Sequence, residues 1–177
     1  MSDGFLLETD RLRLRPLAEH DLDALHAVLG DPELMRYYPA PFSLADTGEW
    51  IDKQLARYTR DGFGLWAMEL EETGEMIGDC GLTIQDVDGV GHVEVGWHVR
   101  RDMCNQGFAT EAAKACRDFA FGEMGLTRLI SLVRPENLAS CRVAEKLGMT
   151  VFGHTVRGPG WDHRIYELEV SSAFRTS

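Results

Sequence analysis

The sequence has no uninterrupted apolar run approaching the roughly 20 residues of a membrane-spanning helix, so we expect no membrane partner. Its first residues lack a basic start followed by a long apolar core, so we also expect no secretory signal peptide. The four cysteines have neither C-x-x-C spacing nor a metal-type cluster. We therefore expect no metal site, and reduced thiols in a cytoplasmic protein.

Positive charge is scarce, because 18 Lys and Arg residues face 29 Asp and Glu residues and give a formal net charge of −11. Nucleic-acid binding needs a basic surface that neutralises phosphates, so we expect no nucleic-acid partner. An acidic surface attracts cationic partners such as amines, polyamines or basic protein termini. Acidity is also common for solubility alone, and composition leaves both explanations open.

Repeats, linkers and low-complexity segments are absent from the 177 residues. This length, together with 44% hydrophobic and 27% charged residues, is typical of one globular domain with a substantial core. We therefore expect a single domain over residues 1–177.

The stretch from His92 to Phe121 is the most informative. Apolar and polar residues alternate over residues 92–99 and predict a strand, whereas apolar residues at helical spacing predict a helix from Gly107. The polar loop between them therefore lies at a helix N-terminus, whose unpaired N–H groups suit a phosphate. Gly107 lets the backbone approach such a ligand closely, because it has no Cβ. An ordinary βα unit explains the local pattern as well.

The remaining pattern predicts a mixed α/β fold. Short, turn-forming connections between three central strands indicate an antiparallel meander, and the helix between residues 99 and 128 indicates a parallel, right-handed crossover. The predicted strands are 12–16, 63–70, 76–85, 92–99, 128–133, 150–154 and 164–170. The predicted helices are 21–29, 43–58, one from 107, and 139–147.

A second stretch indicates a family. Asn137-Leu-Ala-Ser-Cys-Arg-Val-Ala-Glu-Lys-Leu-Gly-Met, with Gln106-Gly-Phe-Ala-Thr-Glu-Ala upstream, resembles the GNAT N-acetyltransferase superfamily. The opening residues 7–17 and the closing residues 162–168 are also similar to its ribosomal-protein-alanine N-acetyltransferases, so the resemblance extends from about Leu6 to Val170. It implies a mixed, mostly antiparallel sheet of about seven strands with helices on both faces. The fourth and fifth strands, 92–99 and 128–133, are implied to splay apart.

The resemblance also implies that acetyl-CoA, the cosubstrate, binds in this splay with its pyrophosphate on the loop Cys104–Ala109. The family often has Gln or Arg at the first loop position and glycine at the second, where this chain has Cys104 and Asn105. Main-chain N–H donors do not depend on the side chain, and Asn tolerates a positive φ, so we expect the site to persist. The cofactor-binding residues implied by the resemblance are Val99, Cys104, Asn105, Gln106, Gly107, Phe108, Ala109, Thr110 and Asn137.

Acetyl transfer from a thioester to an amine needs a base for the amine, donors for the oxyanion and a proton for the thiolate. Glu94 is the candidate base, directly or through water, because similar enzymes place a glutamate on this strand. His98 on the same nominal strand face and a proton path through solvent are alternatives, and a structural hydrogen bond also explains Glu94. The resemblance implies that a backbone N–H near Val99 stabilises the oxyanion.

Ser140 is the candidate proton donor to the thiolate, because the family motif carries a serine at this place. A helix N-cap role explains Ser140 equally well. Asn137 matches a position that contacts the pantetheine arm or orders the loop, and an Asx-type turn is its alternative. Basic residues that could meet the cofactor phosphates, or simply face solvent, are Arg100, Arg101, Arg142 and Lys146.

The acceptor amine is the part of the predicted reaction that the sequence determines least. Candidate pocket residues are Tyr37, Tyr38, Trp66 and Trp161, although core packing explains them as well. We predict an N-acetyltransferase, monomeric or homodimeric, acting on a primary amine, either a protein N-terminal α-amine or a small amine. The alternatives are a catalytically silent acyl-CoA-binding sensor or scaffold, and an unrelated phosphate-binding βα protein.

Overall fold

The computed structural model describes residues 7–170, which form an eight-stranded sheet and four α-helices. The predicted domain limits at residues 1 and 177 lie outside the described residues. The strands are β1 Leu7–Glu8, β2 Leu12–Pro16, β3 Leu65–Leu70, β4 Met76–Val87, β5 Val90–Val99, β6 Arg128–Val133, β7 Thr150–Arg157 and β8 Trp161–Glu169. The helices are α1 Leu22–Leu29, α2 Leu44–Asp61, α3 Phe108–Gly122 and α4 Leu138–Lys146.

The strand order is β1-β2-β3-β4-β5-β6-β8-β7, and β5–β6 is the parallel pair. The other neighbouring strands in this order are antiparallel, so the predicted meander and the predicted parallel pairing of β5 with β6 are confirmed. The strand missing from the prediction is β1, whose two residues are too short to show a periodic pattern.

Strands β5 and β6 separate after a single paired position, Glu94 with Ile130. On its other side, β5 pairs with β4 along its whole length, from Val90 to Val99. The predicted splay between residues 92–99 and 128–133 is therefore confirmed, and it opens the sheet near its centre.

Helices cover both faces of the sheet, as predicted, and alternate residues of β3 pack against the helices of opposite faces. Trp66 and Met68 pack in the cluster that contains α3 and α4, whereas Ala67 packs in the cluster that contains α1 and α2. Trp66 is fully buried and stacks edge-on against Phe119, with ring centroids 5.9 Å apart. Trp66 is thus a core residue and not a pocket residue. No helix within residues 7–170 is long and apolar enough to cross a membrane.

Two hairpins are longer than the sequence pattern predicted. Strands β4 and β5 continue to a two-residue turn at Asp88 and Gly89, which have φ values of 52° and 83°. Positive φ at both turn residues matches the right-handed twist of the paired strands, so the ladder continues to the turn. Likewise β7 reaches Arg157 and β8 begins at Trp161, whereas the predicted strands 150–154 and 164–170 left residues 155–163 as a loop.

Gly78 in β4 allows the end of β5 to lie close to β4. A Cβ at this position would lie 2.0 Å from the carbonyl oxygen of His98. The close approach of the two strands therefore requires glycine here, and it sets the position of the β5 residues that border the splay.

Candidate active site

Two connected cavities lie at the splay. The first, here called the Glu94 cavity, measures about 290 Å³ and is lined by Glu94, Arg57, Arg157 and Trp161, among others. The second, here called the α3 groove, measures about 450 Å³ and is lined by residues 103–105 and 107–110 and by the start of α4. The residues that line both are Tyr37, Tyr38, Trp97, His98, Asn137 and Ser140.

The N-terminus of α3 faces the α3 groove without a capping side chain. Helices α2 and α4 begin with Ser43 and Asn137, whose side chains accept a first-turn N–H, whereas α3 begins at Gly107 with no such bond. Gly107 has a φ of 88°, and Asn105 has a φ of 62°, as its glycine-like place in the loop predicted. The first-turn N–H groups of α3 are therefore available to an anion.

The predicted cofactor-binding residues line the α3 groove, with one exception. The residues that do so are Val99, Cys104, Asn105, Gly107, Phe108, Ala109, Thr110 and Asn137. Gln106 does not, because its side-chain amide donates to the carbonyl oxygen of Asp102 at 3.0 Å. Burial and Asp102 raise the pKa of the Cys104 thiol, which keeps it protonated.

Arg11 anchors this loop, a role that the sequence pattern did not indicate. Its guanidinium donates to the Gln106 carbonyl oxygen at 3.1 Å and to the Glu111 carboxylate at 2.7 Å, and lies 4.3 Å from the Phe108 ring centroid. Glu111 sits in the first turn of α3, where a free carboxylate would repel an anion. Burial opposes ionisation of Glu111, but Thr9 and Arg11 outweigh it and lower its pKa. Glu111 could have indicated this role in the sequence. An acidic residue at a helix N-terminus that binds an anion is best placed beside a cation that offsets its negative charge.

The four candidate phosphate-binding cations separate into two pairs. Arg142 and Lys146 line the α3 groove. Arg100 instead pairs with Glu75 and Asp102, and Arg101 pairs with Asp31. The α4 residues are therefore the ones placed to meet an anion.

Glu94 spans the gap between β5 and β6. Its Oε1 accepts a hydrogen bond from the Leu132 N–H at 2.9 Å, so the structural role considered for Glu94 is present. Within residues 7–170 its Oε2 has no hydrogen-bond partner, and the side chain lines the Glu94 cavity. Burial raises the pKa of this carboxyl group, although the bond from Leu132 and the nearby Arg157 oppose the rise.

His98 is engaged at both ring nitrogens. Nδ1 lies 2.6 Å from the Asp79 Oδ1, and Nε2 lies 2.7 Å from the Tyr38 hydroxyl. The fully buried Asp79 also accepts the Trp50 indole N–H at 3.0 Å. Burial favours the neutral imidazole, but Asp79 outweighs burial and raises the pKa of His98. His98 can take a proton from an amine only if its bond with Tyr38 breaks, which favours Glu94 as the base.

Val99 directs its backbone N–H toward the splay. The Arg100 N–H donates to the Ile77 carbonyl oxygen at 2.7 Å, so Arg100 and Ile77 are a hydrogen-bonded pair of the β4–β5 ladder. Such pairs alternate along antiparallel strands, and Val99 is therefore in a pair whose backbone groups point away from β4. This orientation places a donor where β6 no longer pairs.

Ser140 does not cap α4. The capping residue is Asn137, whose Oδ1 accepts the Ser140 N–H at 3.2 Å, so the N-cap alternative for Ser140 is wrong. The Asn137 side chain therefore caps the helix, instead of forming the Asx-type turn that was considered for it. Among the described residues, the Ser140 hydroxyl has no hydrogen-bond partner, and the side chain lines both cavities.

A family model described as an acetyltransferase (GNAT) domain matches residues 11–150. The chain belongs to the GNAT acetyltransferase family. It is 36% identical over 162 residues to a protein of Bacillus subtilis called uncharacterized protein YkkB, covering 91% of this chain and 94% of that protein. The predicted family and the acyltransferase class are confirmed.

Solved structures agree with this GNAT assignment. An acetyltransferase from Agrobacterium tumefaciens superposes with a TM-score of 0.82 and 32% identity, covering 96% of this chain and 97% of that chain. The ribosomal L7/L12 α-N-protein acetyltransferase RimL, in complex with coenzyme A, gives a TM-score of 0.76 with 18% identity, covering 94% and 98%. At that identity the likeness to the ribosomal branch concerns the fold alone.

Three of the aromatic residues considered for the acceptor pocket line the Glu94 cavity of this GNAT protein, namely Tyr37, Tyr38 and Trp161. The sequence pattern missed Trp50, Asp79 and the arginines of this cavity. Asp79 had a signal of its own, because it is a charged residue within the apolar run of β4. Among residues 7–170, no cluster of three His, Cys, Asp or Glu side chains could hold a metal ion.

Proposed function

We propose that this protein transfers an acetyl group from acetyl-CoA directly to a primary amine, either a small amine or a protein N-terminal α-amine. One observation carries the proposal: the α3 groove, with its uncapped helix end, joins the Glu94 cavity at Ser140. A site for a phosphate-bearing thioester thereby adjoins a site with a candidate base.

The α3 groove suits coenzyme A in charge and shape. The first-turn N–H groups of α3 and the side chains of Arg142 and Lys146 offer donors to phosphates. Gly107 lets the chain approach the pyrophosphate, and Asn105 provides the positive φ that the loop needs. The coenzyme A complex of RimL, which has the same fold, supports this choice.

Acetyl-CoA supplies the acetyl group as a thioester, and the residues around the junction supply the remaining chemistry. Glu94 accepts a proton from the acceptor ammonium, because its raised pKa makes it a stronger base than an exposed glutamate. The freed amine nitrogen attacks the carbonyl carbon, and the Val99 N–H donates to the oxyanion that forms. Ser140 then gives its proton to the departing sulfur as the carbon–sulfur bond breaks, and the second proton that the nitrogen must lose to become a neutral amide restores the Ser140 hydroxyl.

His98 has a positioning role in this scheme. Asp79 fixes its ring from one side, and the other ring nitrogen holds the Tyr38 hydroxyl at the boundary of the two cavities. The Tyr38 hydroxyl is therefore a second candidate proton donor to the sulfur.

The free cysteines of the described residues support a reducing, cytoplasmic location, and we extend the proposal to that location and to a monomer or homodimer. We also propose that residues 1–177 form a single domain, and that the partner is an amine and not a nucleic acid.

Thermal unfolding with acetyl-CoA, CoA, ATP and NAD in excess tests the cofactor. A ligand at about 100 times its Kd stabilises by about 2.7 kcal/mol, which is several degrees for this size of domain. We expect shifts with acetyl-CoA and CoA and none with ATP or NAD. Release of CoA with a panel of primary amines then tests catalysis, and cofactor binding without release for any amine would instead indicate a silent acyl-CoA-binding module.

A further inference from the structure

The Glu94 cavity is rich in positive charge although the protein is acidic. Its lining contains Arg57, Arg134 and Arg157, and Glu94 is the acidic residue among the lining residues. The formal net charge of the whole chain is −11. An excess of cations at this one place is therefore not a consequence of composition.

Two of these arginines have no carboxylate partner within residues 7–170. Arg57 donates to the Gln54 side-chain oxygen at 3.2 Å, and Arg157 donates to the Asp86 carbonyl oxygen at 2.8 Å and the Gln85 side-chain oxygen at 2.9 Å. All of these acceptors are neutral. Most arginines of the described chain, by contrast, form ion pairs, such as Arg15 with Asp21.

Arg134 is excluded from this pair. It lies 3.3 Å from the Glu136 carboxylate and stacks 4.0 Å from the Trp161 ring centroid. Its charge is thus already matched, whereas the charges of Arg57 and Arg157 face the cavity unmatched.

Glu94 does not serve as the partner of these two arginines. It accepts its hydrogen bond from the Leu132 N–H, and among the described residues Arg57 and Arg157 donate to other acceptors and form no ion pair with it. Both nevertheless lie near enough for their charges to favour its ionised form. The cavity between them, of about 290 Å³, is at the small end of the ligand-pocket range.

We propose that the acceptor is a small amino-carboxylic acid whose amine meets Glu94 and whose carboxylate binds Arg57 and Arg157. Guanidinium groups bind carboxylates through charge-assisted, often bidentate hydrogen bonds, and here they are already held by neutral acceptors. A polyamine or a basic peptide would bring further positive charge against both arginines, which disfavours these acceptors. This inference rests on the proposed acetyltransferase function and narrows its acceptor.

The test compares acceptors that differ only in the carboxylate: amino acids, their carboxamides and their decarboxylated amines. With acetyl-CoA fixed, kcat/KM of the wild-type protein should be about 10-fold to 100-fold higher for the amino acid. Arg57→Gln and Arg157→Gln should each lose most of that preference while retaining activity toward the decarboxylated amine. Arg164→Gln is the matched control, because Arg164 also lacks a carboxylate partner among residues 7–170 but does not line the cavity.

The outcomes separate this inference from the proposed function. Faster acetylation of polyamines or peptide N-termini than of any amino acid would overturn the inference and leave the acetyltransferase function standing. Preference for an aminophosphonate over the matching amino acid would overturn the carboxylate class. Failure of acetyl-CoA to shift the melting temperature would overturn the proposed function and this inference together. Melting curves of each variant show whether a lost preference reflects misfolding.

Discussion

The Glu94 carboxylate accepts the backbone N–H of Leu132 at 2.9 Å, across the gap where β5 and β6 stop pairing. The side chain thus replaces a lost ladder bond and satisfies a donor that separation of the strands would leave without a strand partner. The same residue therefore has a structural bond at Oε1 and the candidate chemistry at Oε2. A substitution that keeps the first and removes the second can separate these roles.

Glu94→Gln is that substitution, because the amide oxygen can still accept from Leu132. We expect kcat to fall by about 100-fold or more near neutral pH, the scale of general-base catalysis. The loss should shrink at high pH, where the amine deprotonates unaided. Stability should change little, whereas Glu94→Ala should also lose stability. A Gln variant with the wild-type rate at every pH would remove Glu94 from the mechanism.

Ser140→Ala should lower kcat by roughly 100-fold, because the thiolate loses its proton donor. Ser140→Thr keeps a hydroxyl and should retain more activity, and neither change removes the cap, which is Asn137. Steady-state kinetics with one amine measures both. Full activity of Ser140→Ala together with a loss in Tyr38→Phe would assign the proton to Tyr38.

His98 makes stability depend on pH. Its pKa is raised in the folded protein, so the folded protein binds the His98 proton more tightly than the unfolded chain does. The stabilisation is present below about pH 6.5, the unfolded value, and is lost as pH rises through the folded pKa. Urea unfolding should therefore show a larger difference between wild type and His98→Asn at pH 6 than at pH 9. In an Asp79→Asn background burial acts without its main opposing charge, so the larger difference at pH 6 should disappear or reverse, and its persistence there would assign it to another group.

Asn105 tests the backbone of the loop. Because residue 105 has a φ of 62°, the Asn105→Gly variant should bind CoA as well as wild type or better, whereas the Asn105→Val variant should lose affinity. The strain of a β-branched residue in this region is about 1–3 kcal/mol. Calorimetric titration of CoA measures the difference, and equal affinities for the Val and Gly variants would show that the loop conformation does not matter for binding.

Gly78→Ala should destabilise the fold by about 1–3 kcal/mol, because its Cβ would meet the His98 carbonyl oxygen. Gly122→Ala is the matched control, because a Cβ there meets nothing within 4 Å and alanine favours a helix. Chemical denaturation measures both. Equal stabilities of the two variants would mean that the β4–β5 spacing adjusts easily.

The sequence predicted those structural features that depend on residues close together in the chain. The alternation of residues 92–99, the apolar face of α3 and the glycine-like place of Asn105 are local patterns, and each appears in the structure as expected. The connection between β4 and β5 was predicted too long, because its polar composition hides a turn that needs only two residues, Asp88 and Gly89.

The contacts that the sequence missed join distant parts of the chain. Tyr38, Asp79 and His98 meet through a loop and two strands, and no spacing within one element indicates their contact. Arg57 and Arg157 are one hundred positions apart and share a cavity only because the β7–β8 turn lies beside the splay. The N-cap alternative for Ser140 was wrong for a local reason, because Asn137, three residues before it, takes the capping role.

The single backbone pair between β5 and β6 makes the middle of the sheet a seam, with five strands on one side and three on the other in the described chain. A molecule that fills the gap and touches both sides adds links across this seam. Occupancy then stiffens the sheet along its weakest line. Slower amide hydrogen exchange in the residues bordering the gap would be the signature of a filled site.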